Sequence, residues 1–149
     1  MAFFIRYVSL KYLYRVKEPK KIILFDGVCN VCNGFVQFVI KRDKEDLFRY
    51  ASLQSEIAQK LLSERKIHTQ RIDSVILIEP GVAYFIKSDA ALEIGKGLKG
   101  YRTLSKILGL IPSSLRNIVY DLIARNRYSW FGKKDECMIP TPEIKSKFL

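Results

Sequence analysis

Cysteine is scarce in this chain. Three in 149 residues, two close together and one far away, are too few and too uneven for the disulfide framework of a small secreted domain. Long apolar runs are also missing. Residues 1–15 are rich in aromatic and aliphatic side chains, but Arg6, Lys11 and Arg15 interrupt them. The stretch falls short of the roughly twenty apolar residues that a spanning helix needs. It also lacks the order of a cleavable signal, in which charge precedes an apolar run and then small residues. Lys and Arg outnumber Asp and Glu by 26 to 15, for a net charge of +11. These cations are scattered, and no basic cluster interleaved with aromatics marks a nucleic-acid groove. No nucleic-acid partner is expected, and there is no internal repeat or low-complexity segment. Cytoplasmic residence is the expectation, with three thiols suited to redox chemistry or metal binding rather than stapling.

With 48% hydrophobic and 28% charged residues, the chain has the composition of a folded domain large enough to bury a core. Glu18-Pro19-Lys20-Lys21 sets off a leader, residues 1–18, from a domain over residues 19–149. The basic residues of the leader recur at spacings of five and four, so on a helix they share one broad face. That pattern fits an interfacial helix giving peripheral membrane contact through residues 1–17. It fits equally a helix packed on its own domain.

The domain opens with Ile22-Ile23-Leu24-Phe25, a short apolar run bounded by charge that reads as a buried strand. Asp26-Gly27-Val28 forms a turn. From Cys29 to Arg42, apolar residues at 32, 35, 36, 39 and 40 follow the spacing of an amphipathic helix. A second strand, Leu47 to Ala51, and a helix from about Leu53 to Arg65 capped by Ser52 complete a βαβα unit. Ser74 to Ile78 and Val82 to Ile86 flank Glu79-Pro80-Gly81 and read as a hairpin. Ser88 is placed as the cap of a helix reaching about Leu98. Two more helices are expected, Leu104 to Leu108 and Ser113 to Arg125, and an irregular tail from Gly132. The fold class is therefore α/β, a three-layer sandwich around a four-stranded mixed sheet with extra C-terminal helices.

Cys29-Asn30-Val31-Cys32 stands where a helix begins after a buried strand. Residues three apart on a helix share a face, so their sulfurs can bond. The free N–H groups and dipole of the helix start stabilise an anion, which favours a thiolate at that point. Cys29, first and expected to be the more exposed, reads as the attacking thiol. Cys32, on the apolar face, reads as the resolving one. Three other readings stand beside this one. Cys29 and Cys32 could be half of a zinc site, with Cys137 and His68 as the remaining ligand candidates, although their spacing matches no familiar pattern. The run from Ile22 to Val28 resembles the opening of a haloacid-dehalogenase-type phosphatase, but Leu24 occupies the position of the nucleophilic Asp. Two ordinary core cysteines are the third alternative.

Asp26-Gly27-Val28-Cys29-Asn30-Val31-Cys32 resembles the signature of the DCC-type thiol-disulfide oxidoreductases, named for their Asp, Cys, Cys motif. The likeness extends through Ser88-Asp89-Ala90-Ala91-Leu92 and Ile123-Ala124-Arg125-Asn126-Arg127-Tyr128 to Phe131-Gly132-Lys133 and Cys137. It spans about Ile22 to Pro140 and leaves the leader outside. It implies a thioredoxin-like fold and disulfide oxidoreductase activity on protein or small thiols and disulfides. The expected direction is reduction, with no cofactor and no bound metal. One departure from thioredoxin is the lack of a proline near Ile72-Asp73-Ser74, where thioredoxins carry a cis-proline. A non-catalytic binding module and a metal-binding protein are the alternative functions. Asp26 reads either as a proton relay for Cys32 or as a turn residue bonding local N–H groups. Arg125 to Tyr128 end a helix and either line the site or bind its last carbonyls. Cys137 is either a third redox thiol or plain packing, and His68 sits in a polar loop.

Overall fold

The computed structural model describes residues 20–68, 75–132 and 140–149. The leader, the Ile72-Asp73-Ser74 position and Cys137 lie outside the described residues.

Four strands form one sheet: β1 (Lys21–Phe25), β2 (Phe48–Ser52), β3 (Ile76–Glu79) and β4 (Ala83–Ile86). Their order is β2-β1-β3-β4. β1 and β2 are parallel, with Ile23 opposite Tyr50. β3 is antiparallel to β1, and β4 to β3. Parallel neighbours need a crossover. Helix α1 (Asn30–Arg42) supplies it, and α2 (Glu56–Glu64) follows β2. The hairpin turns on Glu79-Pro80-Gly81-Val82, where the Val82 N–H donates to the Glu79 carbonyl at 3.0 Å. Gly81 at φ +76° takes the left-handed position that such a turn requires after Pro80. Helices α3 (Lys87–Lys96), α4 (Arg102–Leu108) and α5 (Ser113–Phe131) follow among the described residues, with a 3-10 turn at Lys145–Lys147.

Alternation along the strands divides the core in two. Ile23, Phe25, Phe48, Tyr50 and Leu77 meet Val36 and Val39 of α1 and Ala90 and Ile94 of α3. Leu24, Ala51, Ile76 and Ile78 meet Ala58 and Leu62 of α2 on the other face. The result is the expected three-layer α/β sandwich with a mixed four-stranded sheet, consistent with a thioredoxin-like fold.

Several boundaries differ from the sequence expectation. Ser55, not Ser52, caps α2, its Oγ accepting from the Ala58 N–H at 3.3 Å. Ser52 instead accepts from the Gln54 N–H in the preceding turn. Ser88 lies inside α3, where its hydroxyl donates to Asn117 Oδ1, and Ile86 holds the cap position. A hydroxyl beside a strong acceptor on another helix is drawn there rather than to its own backbone. α5 runs on to Phe131, beyond the expected end at Arg125. Of the polar residues that read as a helix end, Arg127 and Tyr128 turn inward to Asp26, whereas Arg125 is exposed and Asn126 donates to the Leu122 carbonyl of its own helix. The tail is not wholly irregular: Phe148 bridges Tyr50 and the Leu149 N–H donates to the Tyr50 carbonyl at 2.9 Å, covering part of the β2 edge.

Candidate redox site

The turn between β1 and α1 is closed by local bonds. The Cys29 N–H donates to the Asp26 carbonyl at 3.2 Å, and the Val28 N–H to Asp26 Oδ1 at 3.2 Å. The latter is the turn bond anticipated for Asp26. Asn33, buried one turn into the helix, donates to the Gly27 carbonyl at 3.0 Å. Cys29 is the N-cap of α1, and its Sγ accepts from the Cys32 N–H at 3.4 Å. The helix start therefore presents a donor to the sulfur of Cys29.

Both thiols are free, and their exposures reverse the sequence expectation. Cys29 is 0% exposed, whereas Cys32 is only partly buried. The cap geometry turns the Cys29 sulfur back toward the helix rather than outward. Asn30 Nδ2 donates to the Phe131 carbonyl at 2.7 Å and holds the end of α5 against the helix start. Gly132 closes that contact at φ +84°, and a Cβ there would stand 2.9 Å from Asn30 Nδ2. Cys32 instead borders a cavity of about 180 Å³ between α1 and α5, walled by Phe35, Val75 and Ile123, with Asp26 and Arg127 also on its lining.

Asp26 is buried and multiply bonded. Gln54 Nε2 donates to Oδ1 at 2.7 Å. Arg127 Nη2 lies 3.4 Å from Oδ2, and the Tyr128 hydroxyl donates to the same oxygen. Burial by itself would raise this carboxyl. The Tyr128, Gln54 and Val28 donors and the Arg127 charge outweigh it and hold Asp26 below the ordinary carboxylate range. The Cys32 thiol is pushed up to about 12, first by burial, then by its hydrogen bond to Cys29 and the Cys29 charge, with the Asp26 charge adding to the shift. Tyr128 is raised by burial and by its bond to Asp26.

The structure thus brings Asp26, Cys29 and Cys32 together, as their spacing in sequence required. It adds Arg127 and Tyr128, which line the site rather than close a helix. Residues 23–133 match the family described as DCC1-like thiol-disulfide oxidoreductase. The chain belongs to that family. Two relatives extend the likeness. The uncharacterized protein YuxK of Bacillus subtilis is 50% identical over 131 residues, which is 88% of this chain and 95% of the relative. A chloroplastic DCC family protein of Arabidopsis thaliana is 40% identical over 122 residues, 81% of this chain and 70% of the relative. No solved structure matches the chain.

In this DCC1-like chain the partners Gln54, Arg127 and Tyr128 complete the surroundings of the Asp, Cys, Cys motif. Gln54 escaped the sequence reading because a lone glutamine after a strand carries no distinctive spacing. Arg127 and Tyr128 were visible only as a polar run, and their target lies 101 and 102 residues away. His68 is exposed. Among the described residues, no group of three His, Cys, Asp or Glu side chains is arranged to hold a metal ion.

Proposed function

We propose that this chain reduces protein or small-molecule disulfides through Cys29 and Cys32, with Cys29 attacking and Cys32 resolving. The observation that carries this reading is the asymmetry of the pair. Cys29 sits at the helix cap and accepts a backbone N–H, while Cys32 is held as a protonated thiol. A thiolate is the nucleophile in exchange, so the first attack falls to Cys29. Its sulfur bonds to one substrate sulfur, the substrate S–S bond breaks, and the other substrate sulfur leaves as a thiolate. Cys32 then yields its proton to that leaving thiolate and attacks Cys29. This releases the second substrate sulfur as a thiolate, which takes a proton from solvent, and forms the Cys29–Cys32 disulfide. Two electrons have moved to the substrate, and an external thiol reductant restores the pair.

Asp26 serves here as a fixed negative charge rather than a proton relay. A carboxyl held below its ordinary range is a poor acceptor for a thiol proton, whereas its charge helps to keep Cys32 protonated until the mixed disulfide forms. Destabilising the Cys32 thiolate disfavours the fully ionised dithiol, which supports the reducing direction. Because Cys29 has no exposed surface, its exchange with a large partner follows displacement of the α5 end that Asn30 clasps.

Trapping tests the assignment. Cys32→Ser should accumulate mixed disulfides with a model disulfide substrate, and Cys29→Ser should accumulate few. Equal trapping by both, or faster alkylation of Cys32 than of Cys29 in the reduced protein near neutral pH, would overturn the roles. A reducing pair should also have a potential near that of thioredoxin, about −270 mV; a value near −120 mV would mark an oxidant.

A further inference from the structure

Helix α5 packs the wrong way round for a soluble amphipathic helix. Its inward side is polar. Arg116 reaches Asp89, Asn117 takes the Ser88 hydroxyl, Asp121 pairs with Lys87, and Arg127 and Tyr128 meet Asp26. Its opposite side carries Leu115, Ile118, Val119 and Leu122, the i, i+3, i+4, i+7 stripe that usually turns to a core. All four are exposed, Ile118 to 65%. The surface continues over the preceding loop and α4 through Leu110, 84% exposed, and Leu104. A contiguous aliphatic surface of this kind marks an interaction site.

Charge narrows the occupant. Residues 102–131 hold five cations and one acid, Asp121. Arg116 and Arg127 are engaged inward, while Arg102, Lys106 and Arg125 are exposed, with Lys99 nearby in the turn before α4. The middle of the stripe is aliphatic, and the exposed aromatics Trp130 and Phe131 stand at its C-terminal end, the arrangement of an interfacial helix that pairs Leu with Trp and Phe on its apolar face. Among the described residues no single helix is long and apolar enough to cross a membrane. α4 and α5 together meet that measure of length and hydropathy, but they are bent by 109°. An apolar stripe edged with cations on a bent helix pair has the makeup of an interfacial element.

We infer that the α4–α5 face docks on an anionic lipid surface, with its aliphatic stripe at the acyl boundary and Arg102 and Lys106 among the headgroups. The inner side of α5 contributes Ile123 and Ala124 to the cavity beside Cys32, so docking sets the redox pair close to the lipid. This surface stands apart from the redox reading, and alkylated protein should bind vesicles as well as reduced protein.

Flotation of the full chain with phosphatidylglycerol/phosphatidylcholine vesicles tests the inference. The wild type should float with them and bind pure phosphatidylcholine far more weakly. Ile118→Asp with Leu122→Asp should weaken partition at least tenfold while leaving the circular dichroism unchanged. Arg102→Glu with Lys106→Glu should weaken anionic binding by about fivefold or more per charge and leave neutral vesicles unaffected. Should the aspartate pair fail to fold, Trp130, the one tryptophan, reports on the wild type: brominated phosphatidylglycerol should quench it. A wild type that does not float, absent quenching, or an aspartate variant that floats like the wild type would each overturn the inference. The last result would place lipid contact elsewhere, in the leader for example. A wild-type dimer that the aspartate pair dissociates would overturn it in favour of a second copy as occupant.

Discussion

Arg127 and Asp26 stand 101 residues apart in sequence, and their charged groups meet at 3.4 Å with side-chain exposures of 5% and 9%. The pair ties the last helix to the turn that carries the redox motif. A buried cation beside a buried carboxylate is stable only while both are present. Arg127→Gln should therefore destabilise the protein by about 3 kcal/mol. Asp26→Asn with Arg127→Gln should cost clearly less than the sum of the single changes. Urea unfolding of the four proteins in the cycle checks this, and strict additivity would mean that the two groups do not interact.

The pH dependence of stability follows from two shifts of opposite kind. Asp26 is held below its ordinary 3.8 by donors and charge that outweigh burial. Its contribution is present above about that pH and is lost as the pH falls through the lower folded-state value. Cys32 is pushed from 9.0 up to about 12, chiefly by burial. The reduced protein therefore keeps that contribution below pH 9 and loses it as the pH rises from 9 toward 12. Cys32→Ser should flatten the alkaline limb and leave the acid limb in place, read from urea midpoints across pH under reducing conditions.

Gly132 is the position where the contact between the α5 end and Asn30, the neighbour of Cys29, admits no side chain. Its φ of +84° disfavours an L-residue, and a Cβ would crowd Asn30 Nδ2. Gly132→Ala should cost about 1–2 kcal/mol and loosen the Asn30–Phe131 contact. Alkylation of Cys29 should then accelerate while that of Cys32 changes little. An unchanged Cys29 rate would show that the α5 end does not control access to it.

Lys66 offers a stabilising change far from the site. It occupies the left-handed position after α2 at φ +55°. The Ile67 N–H reaches the Leu62 carbonyl at 2.9 Å and the Lys66 N–H the Ser63 carbonyl at 3.1 Å. This is a Schellman ending that normally employs glycine. Lys66→Gly should raise stability by about 0.5–1 kcal/mol, visible as a higher urea midpoint with an unchanged slope.

The sequence by itself determined the sheet, the three layers and the place of the redox pair. Those features rest on local signals: apolar strands of four or five residues, a 3.6-residue apolar period from Cys32 to Ile40, and a cysteine pair three apart at a helix start. What only the tertiary structure decided depends on long-range contact. The cap geometry buried Cys29 and left Cys32 at the cavity, against the order that position in the helix suggested. The 101-residue reach from Arg127 to Asp26 turned an apparent helix end into part of the site. α5 shows the reason most directly. Its apolar period marks a stripe but not which way the stripe faces. Its orientation was set by polar partners on α3 and at Asp26, because buried charges and hydroxyls must be satisfied, whereas exposed leucines cost less.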